Sequence, residues 1–305
     1  MPFKNVTKPK TVASVEGDIV GASFNRKLGS VMMIGHNPVQ VAIVGQSGSP
    51  SKVFAIGLGD VSDVSLLSRD MALVLENGTL WSLLDIAHKA KVEQVATDVA
   101  MLVGPQGEAS LALKWDNSGV QLTPGKMEVA TREFPMRGDI RSVSVGESEC
   151  YVVVDGGDGE FRIHPGATPE QGSTAKTALP PGARALGRLS GGKFLSVLFQ
   201  RGDANVCAIK RAGNRLEPKM LRLDGPVNDV VVAEGAFVAA MRDGRIVLFD
   251  DEAIDKGTAS LIEPKAETST GHEPRRLVVA GSYLFVGTSA GEVQMATLVR
   301  KSVMY

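Results

Sequence analysis

Cysteine is scarce: the 305 residues include only Cys150 and Cys207. Two thiols exclude a disulfide framework and a four-thiolate metal site. Each lies in an apolar run, ECYVVV and NVCAIK, and is expected as a small core or near-core side chain. Aromatic residues make up only 5%, so the core must come mostly from Val, Leu, Ala and Ile. Neither sign of charge dominates. Against 34 Asp and Glu stand 33 Lys and Arg, and the net charge of −1 argues against a general nucleic-acid binder. No apolar run approaches the ~20 residues of a membrane helix, so no membrane insertion is expected. The opening MPFKNVTKPK is polar and basic without an apolar core, so no secretory signal is read there and the cytoplasm is the expected compartment.

What the chain has in abundance is one repeated sentence. In residues 226–250, PVNDVVVAEGAFVAAMRDGRIVLFD, three short apolar runs are separated by Glu234-Gly235 and by Arg242-Asp243-Gly244-Arg245. Asp-Gly between apolar runs marks a hairpin, because glycine accepts the positive φ of a tight turn. Three runs and two turns make an antiparallel meander. The same unit is read at residues 21–45, 63–85, 92–116, 140–164, 183–210 and 274–299. The inner-turn glycines are Gly35, Gly78, Gly107, Gly159, Gly202, Gly244 and Gly291, and their mean spacing, (291 − 35)/6, is about 43 residues. That matches a four-stranded propeller blade of roughly 40–45 residues. Two intervals, 29 and 52 residues around Gly107, are irregular, and the second meander reads as short of a full fourth strand.

The expected fold is therefore all-β: one seven-bladed β-propeller over residues 1–305. Its blades fall approximately at 21–60, 61–90, 91–136, 137–180, 181–225, 226–270 and 271–305. Outer fourth strands are expected at Gly119–Leu122, Arg215–Leu223 and Ser260–Pro264. The last blade runs out of chain, so a spare N-terminal strand at 10–16 is expected to supply its outer strand and close the ring. Residues 82–95, SLLDIAHKAKVEQV, are the most helix-like by composition.

This grammar resembles the WD-repeat-like β-propellers over nearly the whole chain. Trp115-Asp116 reads as that family's dipeptide in the third blade, with Phe249-Asp250 and Leu84-Asp85 as degenerate versions. Gly35-His36 and Gly271-His272 occur without a Trp-Asp at blade spacing, so the family's buried His–Asp network is mostly absent. The resemblance implies an interaction platform whose loops bind a protein or peptide on one face.

No catalytic set stands out. His36, His88, His164 and His272 each stand alone, without a second ligand at metal spacing. Gly156-Gly157-Asp158-Gly159 precedes a strand rather than the helix start that a phosphate cradle needs. The acidic clusters Asp155/Asp158/Glu160 and Asp250-Asp251-Glu252 lack calcium-loop spacing and read as solvated turns. Basic clusters at Lys4/Lys8/Lys10, Arg211/Arg215/Lys219/Arg222, Arg275-Arg276 and Arg300-Lys301 read as solubilising charge, or else as a rim for an acidic partner.

The expected function is a non-catalytic binding or scaffold module for a protein or peptide, with no cofactor and no metal. Candidate binding residues lie at the starts of the first strands: Asp63, Asp98, Arg141, Arg184, Asp229 and Arg275, with Glu93 and Asn228 beside them. The alternative is a propeller hydrolase or lyase with its site at the central channel. That mixed, histidine-free set speaks against it.

Overall fold

The computed structural model describes residues 3–106, 109–115, 215–233, 236–250 and 261–300, together with the strands named below between 118 and 212. Over most of 116–220 the backbone alone is described. Every element among these residues is a β-strand and none is a helix. The chain divides into two compact units. One holds residues 10–134 and 275–295; the other holds 1–9, 135–274 and 296–305.

Two short strands come first, β1 (Phe3–Val6) and β2 (Lys10–Ser14). The first sheet is a complete meander of β3 (Ile19–Asn25), β4 (Ser30–Gly35), β5 (Gln40–Gly45) and β6 (Pro50–Ala55). The second is β7 (Val61–Leu66), β8 (Met71–Glu76), β9 (Thr79–Leu84) and β10 (Lys91–Ala96). The third is β11 (Val99–Gln106), β12 (Ala109–Lys114), β13 (Ser118–Thr123) and β14 (Lys126–Glu133). The fourth is β15 (Asp139–Val145), β16 (Cys150–Asp155), β17 (Glu160–Gly166) and β18 (Ala175–Ala178), with Leu189–Ser190 added in parallel beside β15.

The next stretch is broken into β19 (Arg184–Leu186), β20 (Leu189–Ser190), β21 (Phe194–Leu195), β22 (Leu198–Gln200), β23 (Asn205–Ala212) and β24 (Arg215–Arg222). Regular meandering resumes with β25 (Val227–Ala233), β26 (Ala236–Met241) and β27 (Arg245–Asp250). A two-residue strand, β28 (Leu261–Ile262), precedes β29 (Ala266–Ser269), which is the fourth strand on β27. The last sheet is β30 (Pro274–Ala280), β31 (Tyr283–Thr288) and β32 (Glu292–Arg300).

Hydrophobic patterning explains the order of strands within a sheet. In the second sheet, β8 reads MALVLE and its first five residues are all buried, as a central strand covered on both faces should be. Its outer neighbour β10 reads KVEQVA and is exposed or half-buried throughout. Turn chemistry fixes the register. Asn77 (φ 44°) and Gly78 (φ 76°) both take the left-handed region, as a two-residue hairpin requires, and Glu76 pairs with Thr79. Gly244 (φ 96°) serves the β26–β27 turn, in line with the expectation from Asp-Gly.

In the first unit the sheets are packed in succession. Val39, Val41, Met32 and Ile34 of the first sheet meet Val61, Val64 and Leu66 of the second. Leu73 and Leu80 of the second meet Val99, Leu102 and Ala112 of the third. Ile19, Met33 and Ala42 of the first also meet Val278, Phe285 and Val293 of the last, with Val15 in the same cluster. The last sheet of the chain thus packs on the first. In the other unit, Phe237 and Phe249 lie edge to face with ring centroids 6.1 Å apart, in a core shared with Leu221, Leu223 and Ile262.

Buried polar side chains stitch the first strands together. The Leu66 amide of β7 donates to Ser23 Oγ of β3 at 3.0 Å. The Asn25 amide donates to the carbonyls of Leu66 and Leu67 at 3.0 and 2.9 Å. Gly21 permits a close approach of β3 to β7: a Cβ there would fall 2.9 Å from Asp63 Cα. These contacts satisfy backbone groups of Leu66 and Leu67 at the end of β7.

Several expectations need correction. Lys91–Ala96 does not begin the third meander; it pairs with β9 and completes the second sheet. Gly119–Leu122 is then part of the inner strand β13 rather than an outer strand. With that shift the irregular intervals vanish: the second strands β4, β8, β12 and β16 start at Ser30, Met71, Ala109 and Cys150, successively 41, 38 and 41 residues apart. Residues 82–95, the most helix-like stretch by composition, form strand and turn, in keeping with the all-β expectation. Leu261–Ile262 pairs with β24 in parallel rather than with β27. Arg215–Arg222 is a strand, but not an outer one: β23 pairs on one edge and β28 on the other. The fifth meander is not continuous: β19 pairs with β22, while β21 pairs with β23. Gly107 and Gly202 lie outside the described residues.

The N-terminal strand takes its expected place. Lys10–Ser14 pairs antiparallel with β32 across Lys10↔Met295 and Ser14↔Glu292. Unforeseen is a second N-terminal pairing, β1 with residues 298–300 of the same strand. Val15 N–H also donates to the Gly291 carbonyl at 2.9 Å.

Candidate functional site at the strand entrances

The first strands enter their sheets in one recurring way. A β-bulge interrupts the pairing with the second strand between Ile19 and Gly21, Val61 and Asp63, Val99 and Met101, Ile140 and Ser142, and Val227 and Asp229. Bulges sharpen local twist and re-aim the following side chain. The residue just past the bulge is Asp63 in β7 and Asp229 in β25. Each carboxylate accepts a hydrogen bond from the next amide, Val64 at 2.7 Å and Val230 at 2.9 Å. Asn5 repeats the device after the bulge in β1, accepting from Val6 N–H at 2.8 Å. Asp229 is buried and Asp63 half-buried.

Asp98 sits immediately before β11. It is exposed, holds φ at 63°, and accepts a hydrogen bond from the Thr97 hydroxyl at 2.9 Å. Arg275 is the second residue of β30 and donates to Asp18 at 3.1 Å. Arg141 lies in β15 and Arg184 begins β19, but their side chains lie outside the described residues. Glu93 belongs to the outer strand β10 and so is not at an entrance. Asn228 is: it donates to Glu273 Oε1 and to the Pro274 carbonyl, both at 2.9 Å.

Sequence reasoning singled out Asp98 but passed over the equivalent acids on the other sheets. Asp18, Asp60 and Asp98 stand directly before Ile19, Val61 and Val99, and Asp139 directly before Ile140. The four are 42, 38 and 41 residues apart, a spacing visible in the sequence once the third meander is placed correctly. A matching hydrogen bond recurs at the far end of the second strand. His36 N–H donates to the Asp18 carbonyl at 3.1 Å, Trp115 to Asp98 at 3.0 Å and Arg242 to Pro226 at 2.9 Å. His36, Trp115 and Arg242 each directly follow the second strand of their sheet. One backbone frame therefore carries a different side chain on each sheet.

Trp115 consequently follows a second strand and is 73% exposed, whereas the WD dipeptide ends a third strand. Phe249-Asp250 does end the third strand β27, with Phe249 buried and Asp250 ion-paired to Lys265. Asp85 follows the third strand β9 and bonds His88 Nδ1 at 2.8 Å, in an exposed pair rather than a buried network.

Near the β26–β27 turn, Arg245 contacts Asp243 at 2.8 Å and Glu267 at 3.3 Å. Its pKa is raised above the ordinary arginine value, chiefly by the hydrogen bond to Asp243. Arg222 is raised likewise, chiefly by its hydrogen bond to Glu263. Among the described residues no three His, Cys, Asp or Glu side chains are grouped to hold a metal ion. The side chains of Cys150, Cys207 and His164, and all of 156–159 and 251–252, lie outside the described residues. No helix among the described residues is long and apolar enough to cross a membrane. The chain matches no protein-family profile, and no curated protein matches it in sequence.

Proposed function

We propose that the chain is a seven-bladed, WD-repeat-like β-propeller that binds a protein or peptide segment on the blade loops of one face, without catalysis. The observation that carries the reading is the repeated strand entrance with changing side chains. A fixed backbone frame presents His36, Trp115 and Arg242 at matching positions, which is how a scaffold displays a recognition surface. Ring closure is supported by two facts: the last sheet packs on the first, and the N-terminal strand β2 lies on the final strand β32. The binding residues in this reading are Asp63, Asp98, Arg141, Arg184, Asp229 and Arg275, with the rim residues just named.

The test is an unbiased peptide-display selection on the purified full chain. Enriched peptides should bind saturably and lose affinity severalfold with Asp98→Ala or Arg242→Ala. Failure to enrich any peptide, or binding indifferent to every rim substitution, would overturn the proposal.

A further inference from the structure

Trp115 is out of keeping with the rest of the chain. It is one of two tryptophans, and at 73% exposure it is far more open than the other exposed large hydrophobics among the described residues, Val53 (46%) and Val299 (38%). Its position is not a frayed end. The residue follows β12 directly, and its N–H is tied to the Asp98 carbonyl at 3.0 Å, so the main chain is held while the indole faces water. Asp98 is exposed as well, and among the described residues its carboxylate is bonded to the Thr97 hydroxyl with no cation paired to it. Asp60, at the equivalent place on the neighbouring sheet, is also exposed.

Resting on the binding-module reading, we infer that this part of the rim takes an arginine or lysine side chain from an extended partner segment, against the Trp115 indole and the Asp98 carboxylate. Three physical points select that occupant. The face of an indole carries negative potential and attracts a guanidinium or ammonium group. The exposed carboxylates of Asp98 and Asp60 favour a cation on approach and disfavour an acidic segment. Exposed tryptophan is also the residue type that most often anchors a protein interface.

The probe is an acetylated, amidated peptide of four Arg-Gly repeats, with Glu-Gly and Ser-Gly repeats as controls. Binding to the full chain is followed by tryptophan fluorescence and calorimetry at low and high salt. The Arg-Gly peptide should bind saturably and perturb the fluorescence, and raising the salt should weaken it. Trp115→Ala and Asp98→Asn should each weaken it at least about fivefold, while Trp115→Phe retains part of the affinity. Asp98→Asn keeps an acceptor for Thr97 and a residue type that tolerates positive φ, so folding is preserved. Equal binding by Trp115→Ala, equal binding of the Glu-Gly peptide, or no saturable binding overturns the inference. So does a dimer of the free chain that Trp115→Ala converts to monomer, because the occupant is then a second copy. The display selection separates this inference from the broader proposal: rim-dependent peptides lacking basic residues would sink the inference and leave the binding module standing.

Discussion

Arg275 Nη2 donates to Asp18 Oδ2 at 3.1 Å, joining the entrance of the last sheet to the entrance of the first across 257 positions of chain. Both side chains are about one-third exposed, so solvent screens the pair. A double-mutant cycle with Arg275→Ala and Asp18→Ala should give a coupling of ~0.2–1 kcal/mol, measured by urea unfolding. A coupling of zero would mean that this ion pair adds nothing to the hold between the first and last sheets.

The N-terminal strand is the second contact between the chain's ends. β2 pairs with β32, and Val15 lies in the core formed with Ile19, Phe285 and Val293. Deleting residues 1–16 should lower the urea midpoint of the whole domain, because it exposes the edge of β32 and removes Val15 from that core. An unchanged midpoint and slope would show that the strand is not a clasp.

Gly291 is where the N-terminal segment crosses the β31–β32 turn. A Cβ there would lie 2.1 Å from the Val15 carbonyl oxygen, at φ 75°. Gly271 has nearly the same φ, 80°, with nothing within 4 Å of an added Cβ. Both alanine substitutions incur the left-handed penalty of ~1 kcal/mol. Only Gly291→Ala adds a backbone clash, so its loss of stability should clearly exceed that of Gly271→Ala in paired thermal melts. Equal losses would contradict the close crossing.

Asn25 is buried and donates to two carbonyls of the neighbouring sheet. Asn25→Leu would leave those carbonyls without their partner in an apolar setting, at a cost of about 1–3 kcal/mol. Ser23→Ala should cost about 1–3 kcal/mol as well, by orphaning the Leu66 amide. Chemical denaturation of both variants checks this. A neutral Asn25→Leu would mean that the first two sheets do not depend on these hydrogen bonds.

Local chemistry was legible in the residues themselves. Alternation and short apolar runs announced strands, and Asn77-Gly78 and Asp243-Gly244 announced turns whose glycines hold φ of 76° and 96°. The free strand at the start of the chain and the incomplete last sheet were both visible, and β2 does pair with β32. These features depend on neighbours a few positions apart, which a sequence displays directly.

What the tertiary structure alone decided was ownership and company. KVEQVA reads equally well as the first strand of one meander or the last of another. Pairing with Leu80–Leu84 settled it, because the energy of an outer strand comes from whichever edge it meets. That single choice moved Trp115 from a third strand to the end of a second, and so from a family signature to an exposed rim residue. It also brought Asp18, Asp60 and Asp98 into register at the strand entrances. The bond from Arg275 to Asp18 had no trace in the sequence, since nothing in the spacing of residues 257 apart records which carboxylate a guanidinium will face.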